Sequence, residues 1–424
     1  MKRLKAFEGD VLARGIFPDV GIDAAPFWRD GYNTIFKGGT VRPMYGKFSL
    51  FGVFRAHPIL DLHSQIVKTP PFTSLGMLFI GYDDAIYSWH EVSQPQLEYT
   101  IPGAEGAIPL GVTTGNIART WDLTSWGNWT VAAKGLGPLL LKKGAGTSFL
   151  PITSTRSPVD GRIMVRRSPY MLVGNTSISP TCVMWCSADD IETWQPTPAN
   201  SAGSYVIRDM SSDLTCGFPF LGETVWFGQN SIHAGIWVGS PNIFQFKKML
   251  EDIGAVGPKA ACSVGSKIYG IGERGIWSSD LYNYEYDDTP IIRTFLRQRL
   301  NVQQRSQICV SHDDANKLVV FSFPEVGQQL PSASITWDLD GKQWSRLTYG
   351  NTCFDTGDVF DYAVTGDSLG NAWGQRQEAE AIKGLTTHDL ILKESCSLLA
   401  GYGQAGYGEL GYGGNYPLGS NPLL

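Results

Sequence analysis

The stretch Leu78–Trp89, LFIGYDDAIYSW, decides the fold. An apolar run (LFIG) meets a turn signal, Tyr82-Asp83-Asp84, and resumes as a short strand ending in Trp, the pattern of a hairpin between part-buried strands. The plan returns in Thr224–Trp237 (TVWFGQNSIHAGIW), in Lys267–Trp277 (KIYGIGERGIW) and in Leu318–Trp344, where LVVFSF precedes ITWDLDGKQW. Looser copies run from Arg119 to Trp129 and from Tyr170 to Trp194. Successive Trp-bearing strands lie roughly 35 to 65 residues apart, the period of a four-stranded propeller blade with variable loops. The expected fold is an all-β propeller of about six blades. Its strand ends place Trp89, Trp194, Trp237, Trp277 and Trp344 in or between blades. Asp340-Gly341 reads as a two-residue hairpin and Tyr82-Asp83-Asp84 as a weaker one.

Composition agrees with this reading. Of 424 residues, 17% are charged and 12% aromatic, with 49 glycines, which describes a turn-rich and strand-rich chain. The net charge of −6 argues against gripping nucleic acid through the overall field, because phosphate binding needs clustered Lys and Arg. No apolar run approaches the roughly 18 residues of a membrane-spanning helix, and charges occupy the first residues where a signal peptide has its apolar segment. The expectation is a protein made in a cytoplasm, without stable membrane insertion. Seven cysteines, an odd number, do not suggest a disulfide framework and read as buried thiols. Cys182 and Cys186 would lie on one face of a strand about 13 Å apart, too far to share a metal.

Three regions follow. Residues 1–47 form an arm dense in Pro, Gly and aromatics. Either it completes the last blade with an N-terminal strand, or it reaches a neighbouring subunit. Residues 48–377 hold the blades. Residues 378–424 form an extension with a Gly-Tyr-Gly repeat (Tyr402, Tyr407, Tyr412, then Tyr416) that cannot bury a core of its own. It is either a flexible tail or a segment that orders when copies pack together or a partner binds.

The chain has no GxxxxGK[ST], HExxH or GxSxG motif. His57 and His63 flank Asp61 in HPILDLH, but Pro58 breaks any helix that would bring them together. Asp83, Asp84, Asp189, Asp190, Asp313 and Asp314 fall at turns, where Asp serves backbone hydrogen bonding. Ser187, Asp189, Thr193 and Trp194 in SADDIETW resemble the Asp-box turn of sialidase-type propellers, with Ile191 where that turn has Gly. The motif is architectural. Arg293, Arg297, Arg299 and Arg305 form a run without intervening acids, read as a solvated blade edge, a subunit interface or a basic ring facing DNA. The sequons at Asn128 and Asn175 read as coincidence. No catalytic, cofactor-binding or metal-binding residue is assigned. Interface candidates are Trp28, Arg293, Arg297, Arg299, Tyr402, Tyr407, Tyr412 and Tyr416.

Pro26, Trp28, Asp30, Gly31, Asn33, Phe36 and Gly39, followed by Arg42, Pro43 and Gly46, resemble the start of tail nozzle proteins of short-tailed bacteriophages, also described as tail hubs or packaged-DNA stabilisation proteins. WDLTSWGNWTVAA (121–133) and WCSADDIETWQP (185–196) are similar to blade segments of that family. The resemblance implies a structural virion protein rather than an enzyme, assembled in the host cytoplasm. It implies a homo-hexameric tube below the portal and its adaptor proteins, which carries fibres or tip proteins and passes DNA without reading sequence. The alternative is a glycan-binding or sialidase-like propeller of a phage tail.

Overall fold

A computed structural model describes residues 28–379, without 38–39, 44, 52–53, 70–72, 91–92, 102–119, 146, 290, 315, 356–358 and 361, and also residues 384–387. Strands dominate. They form seven four-stranded antiparallel sheets, which we number as blades 1 to 7: residues 59–100, 122–151, 163–206, 216–251, 261–287, 309–347, and 353–379 together with 45–49. Within the first six blades the strands pair in sequence order, so each is a meander of short connections. The first strands of neighbouring blades touch all round the circle, the last blade against the first included. The ring is closed, and those first strands line its axis.

The seven blades correct the expected number of about six. The one that the repeat did not announce is blade 7. Its first strand, Cys353–Asp355, has three residues, and its fourth, Tyr45–Ser49, comes from the far end of the chain. Trp373 sits opposite Ser49 and Gly374 opposite Phe48, so one blade joins the two ends of the sequence. This is the reading of the arm in which an N-terminal strand completes the last blade. Earlier arm residues pack on the chain's own rim. Asn33 donates its backbone N–H to Arg346 O at 2.8 Å and its side-chain amide to Thr348 Oγ1 at 3.0 Å. Ile35 is buried with Leu318, Val320 and Leu347 of blade 6. Strand Trp28–Tyr32 pairs with Gly384–Thr387.

Buried side chains fill the spaces between blades. Trp89, Trp194, Trp277 and Trp344 are buried, but Trp237 is 50% exposed. Blade 4 uses Trp226 instead, from its second strand, fully buried with its indole N–H donated to Thr224 Oγ1 at 3.0 Å. Trp237 stands at the outer end of a nine-residue strand whose last residues have left the core. Close packing at Trp226 requires Gly174 in blade 3, where a Cβ would lie 2.4 Å from the indole.

Two turns differ in their chemistry. Asp83-Asp84 does join two strands directly. The turn containing Asp340-Gly341 is longer: Asp338 N–H bonds Gln343 O across it, and the Asp338 carboxylate accepts from the N–H groups of Asp340 and Gly341. Lys342, rather than a glycine, takes the left-handed conformation there (φ 52°).

Candidate functional site

The axis of the ring is where propellers commonly gather function, and here it is filled with charge and hydrogen bonds. Asp61 lies on the first strand of blade 1 and accepts the backbone N–H of Leu123 in blade 2 at 2.7 Å. Asp122 of blade 2 accepts from Met164 N–H of blade 3 at 2.6 Å. Asp355 of blade 7 accepts from Ser64 N–H of blade 1 at 2.7 Å. Three successive blade junctions, 7 to 1, 1 to 2 and 2 to 3, are thus tied by a carboxylate reaching the next blade's backbone. Each bond satisfies a carboxyl oxygen and the backbone N–H of a buried residue.

Lys259, just before blade 5, works from the other side. Its backbone carbonyl accepts from Val310 of blade 6, and its ammonium reaches Asp61 Oδ1 of blade 1 at 2.5 Å and also the carbonyl of Leu60. Blades 5 and 1 are not neighbours, so this side chain spans the axis. Gly257 permits the approach, because a Cβ there would strike the carbonyl of Ser306 at 2.2 Å. Leu330 of blade 6 packs in one buried cluster with Leu60 and Phe149 of blades 1 and 2, which closes the opening further. The remaining axial cavity measures about 360 Å³.

Burial sets the protonation of this interior. It raises Asp61 above the usual carboxylate range against the pull of Lys259, and it raises Asp122 to about 7, with the Asp61 charge adding to the effect. Burial is the largest influence on Lys259 and opposes its charge, yet Asp61 together with the nearby Cys353 and Cys309 raises the ammonium pKa. His63 is pushed down to about 4 by desolvation and stays neutral. Cys216 and Cys309, facing the same cavity, are raised by burial to about 12 and about 11, so these thiols are poor nucleophiles. The arrangement serves to fasten blades together and to stop the axis.

Of the residues singled out from sequence, the arginine run forms a helical link between blades 5 and 6. Arg297 pairs with Asp288 at 3.1 Å, Arg299 with Glu325 at 3.3 Å and Arg305 with Glu273 at 3.0 Å. Three of the four arginines of the run thus stand against acids from neighbouring segments. Arg293 lies in the same link. Trp28 stands opposite Thr387. Tyr402, Tyr407, Tyr412 and Tyr416 lie outside the described residues. In the SADDIETW turn the capping carboxylate is Asp190, which binds Glu192 N–H and the Thr193 hydroxyl, while Asp189 supplies a positive φ of 56°. Trp194 is buried beneath it.

Cys182 and Cys186 are both buried free thiols. Ligand atoms of His57, Asp83 and Asp84 lie within 4.8 Å of one another. His57 already bonds Asp83 at 2.8 Å and Arg55 bonds Asp84 at 2.8 Å, while Lys134 donates to the Asp83 carbonyl. Asp313 accepts from Asn316, the turn role expected of it. Asp122, Asp355 and Lys259 carried no sequence signal strong enough to select them, and Asp61 drew attention only as the residue between two histidines. The repeated Asp-Leu at the start of the first strand in blades 1 and 2 (61–62 and 122–123) is the trace they leave.

No family model matches this chain, and no curated protein does. Among solved structures, the chain is similar to the extracellular domain of BT4673 from B. thetaiotaomicron, with 9% identity and a TM-score of 0.50. The match covers 80% of this chain and 41% of that one. A second structure of that domain matches with 8% identity and a TM-score of 0.48 over the same shares of the two chains. This likeness is one of fold.

Proposed function

We propose that this chain is a wall subunit of a short-tailed bacteriophage tail, a nozzle in which six copies surround a lumen that retains packaged DNA and conducts it at ejection. The observation that carries the reading is the stopped axis. A cavity of about 360 Å³ crossed by Lys259 is the size of a small-molecule site and cannot admit a duplex. Each propeller is a solid block, and a passage has to lie between copies arranged by cyclic symmetry. The N-terminal motif from Pro26 to Gly46 supplies the family resemblance.

The pairing of Arg297, Arg299 and Arg305 with acids fits transit without gripping, since every phosphate contact would add affinity and slow the DNA. The function is mechanical and needs no bond-breaking step. Adaptor proteins above and fibres or tip proteins below are the neighbours that such a wall would have. Particles assembled without this protein are expected to package DNA and then lose it. Full retention of DNA by such particles would contradict the reading.

A further inference from the structure

Blades 5 and 6 enclose a cleft of about 620 Å³, separate from the axial cavity. Its blade-5 wall sets polar side chains beside Ile276 and Trp277. Tyr269, Ser278 and Glu285 stand opposite one another on consecutive strands, and Lys267 follows on the same face two residues from Tyr269. The blade-6 wall is aromatic: Trp337 pairs directly with Trp344, their ring centroids 4.9 Å apart. Trp344 is buried and fixed by its indole N–H, which donates to Asp287 Oδ2 at 3.0 Å. Trp337 is half-buried and lines the opening. Lys267, Glu285 and Lys342 are exposed on the rim and belong to none of the ion pairs of the described residues.

We propose that this cleft binds a neutral oligosaccharide, with one ring stacked on Trp337 and its hydroxyls held by Glu285 and Lys267. A pyranose has a C–H face that suits an aromatic wall and a rim of hydroxyls that both donate and accept. The cleft offers an aromatic surface on one side and donors together with acceptors on the other. Its volume falls within the roughly 300 to 1,000 Å³ of small-molecule sites. Charge disfavours an anionic strand, which would meet Glu285, Asp287 and Asp288. A basic peptide would be drawn by those acids and repelled by Lys267 and Lys342, and it is the alternative that the test must separate. A neutral ligand meets neither repulsion. This site does not depend on the tail-wall reading: a wall subunit without it would still build a tube.

The test uses the full chain, with saturation-transfer NMR and tryptophan fluorescence. The probes are maltotetraose, cellotetraose, laminaritetraose and chitotetraose, and tetralysine represents the basic-peptide alternative. At least one sugar is expected to bind saturably. Trp337→Ala should weaken it tenfold or more, and the exposed, fold-neutral pair Glu285→Ala and Lys267→Ala about threefold each, with melting of the latter two unchanged. Absence of transfer from all four sugars would overturn the proposal. So would binding that survives Glu285→Ala and Lys267→Ala undiminished, or a response to tetralysine alone.

Discussion

Asp122 shows how a single buried acid couples the axis to pH. Its carboxyl holds Met164 N–H of the next blade, yet burial and the Asp61 charge raise its pKa to about 7. The folded value lies above that of the unfolded chain, so the contribution to stability is complete below about pH 4 and is lost as pH rises through about 7. Asp122→Asn keeps an oxygen for Met164 and cannot ionise. Thermal denaturation should find this variant more stable than the parent at pH 8, by on the order of 2–4 kcal/mol, and equal to it at pH 4. An equal difference at both values would assign the effect to packing. Lys259 behaves differently because its loss strands a partner. Lys259→Met leaves Asp61 uncompensated and should cost about 3–5 kcal/mol in chemical denaturation, with part recovered in the double variant Lys259→Met/Asp61→Asn. If the double variant is as unstable as the two single changes added together, the bond across the axis is not what fastens the ring.

Blade 4 separates a buried tryptophan from an exposed one on adjacent strands. Trp226→Ala should cost about 3–5 kcal/mol, whereas Trp237→Ala should stay within about 0.5 kcal/mol, as read by denaturant midpoints. Gly174→Ala, which drives a methyl into Trp226, should cost about 1–3 kcal/mol. Sequence reasoning found the period of the blades because Trp at strand ends marks hairpins locally. It could not tell Trp226 from Trp237, since both stand in TVWFGQNSIHAGIW and only the neighbouring blade decides which is covered. Blade 7 escaped for a related reason. Its strands Cys353–Asp355 and Tyr45–Ser49 are short, and the pairing of Tyr45–Ser49 with Ala372–Ala379 is a long-range event that no window of sequence contains. The axial ties were illegible likewise, because Asp61, Asp122 and Asp355 find their partners in other blades. Truncation tests the closure at element scale. Removing residues 1–44 should leave the propeller cooperative in thermal melting, while removing 1–49 deletes a blade-7 strand and should broaden or abolish the transition. Equal stability of the two truncations would show that Tyr45–Ser49 does not close the ring.

At the scale of the whole molecule, seven blades joined by their first strands make a ring whose axis, among the described residues, is crossed by the Lys259–Asp61 contact. The chain's overall charge of −6 and the pairing of Arg297, Arg299 and Arg305 with acids fit transit of DNA without gripping. On the proposed reading the protein acts through shape, and shape acts on DNA only if copies enclose it. Asn33 and Ile35 of the arm are bound to the chain's own blade 6, so a tube of the proposed kind would take its contacts between copies from other surfaces. The most direct measurement is the symmetry of the assembled protein, by electron microscopy of virion tails in which this chain is labelled, together with native mass of the released complex. A ring of six propellers around a lumen wide enough for duplex DNA is the predicted result. One copy per tail, or copies placed singly at fibre tips, would contradict the central claim.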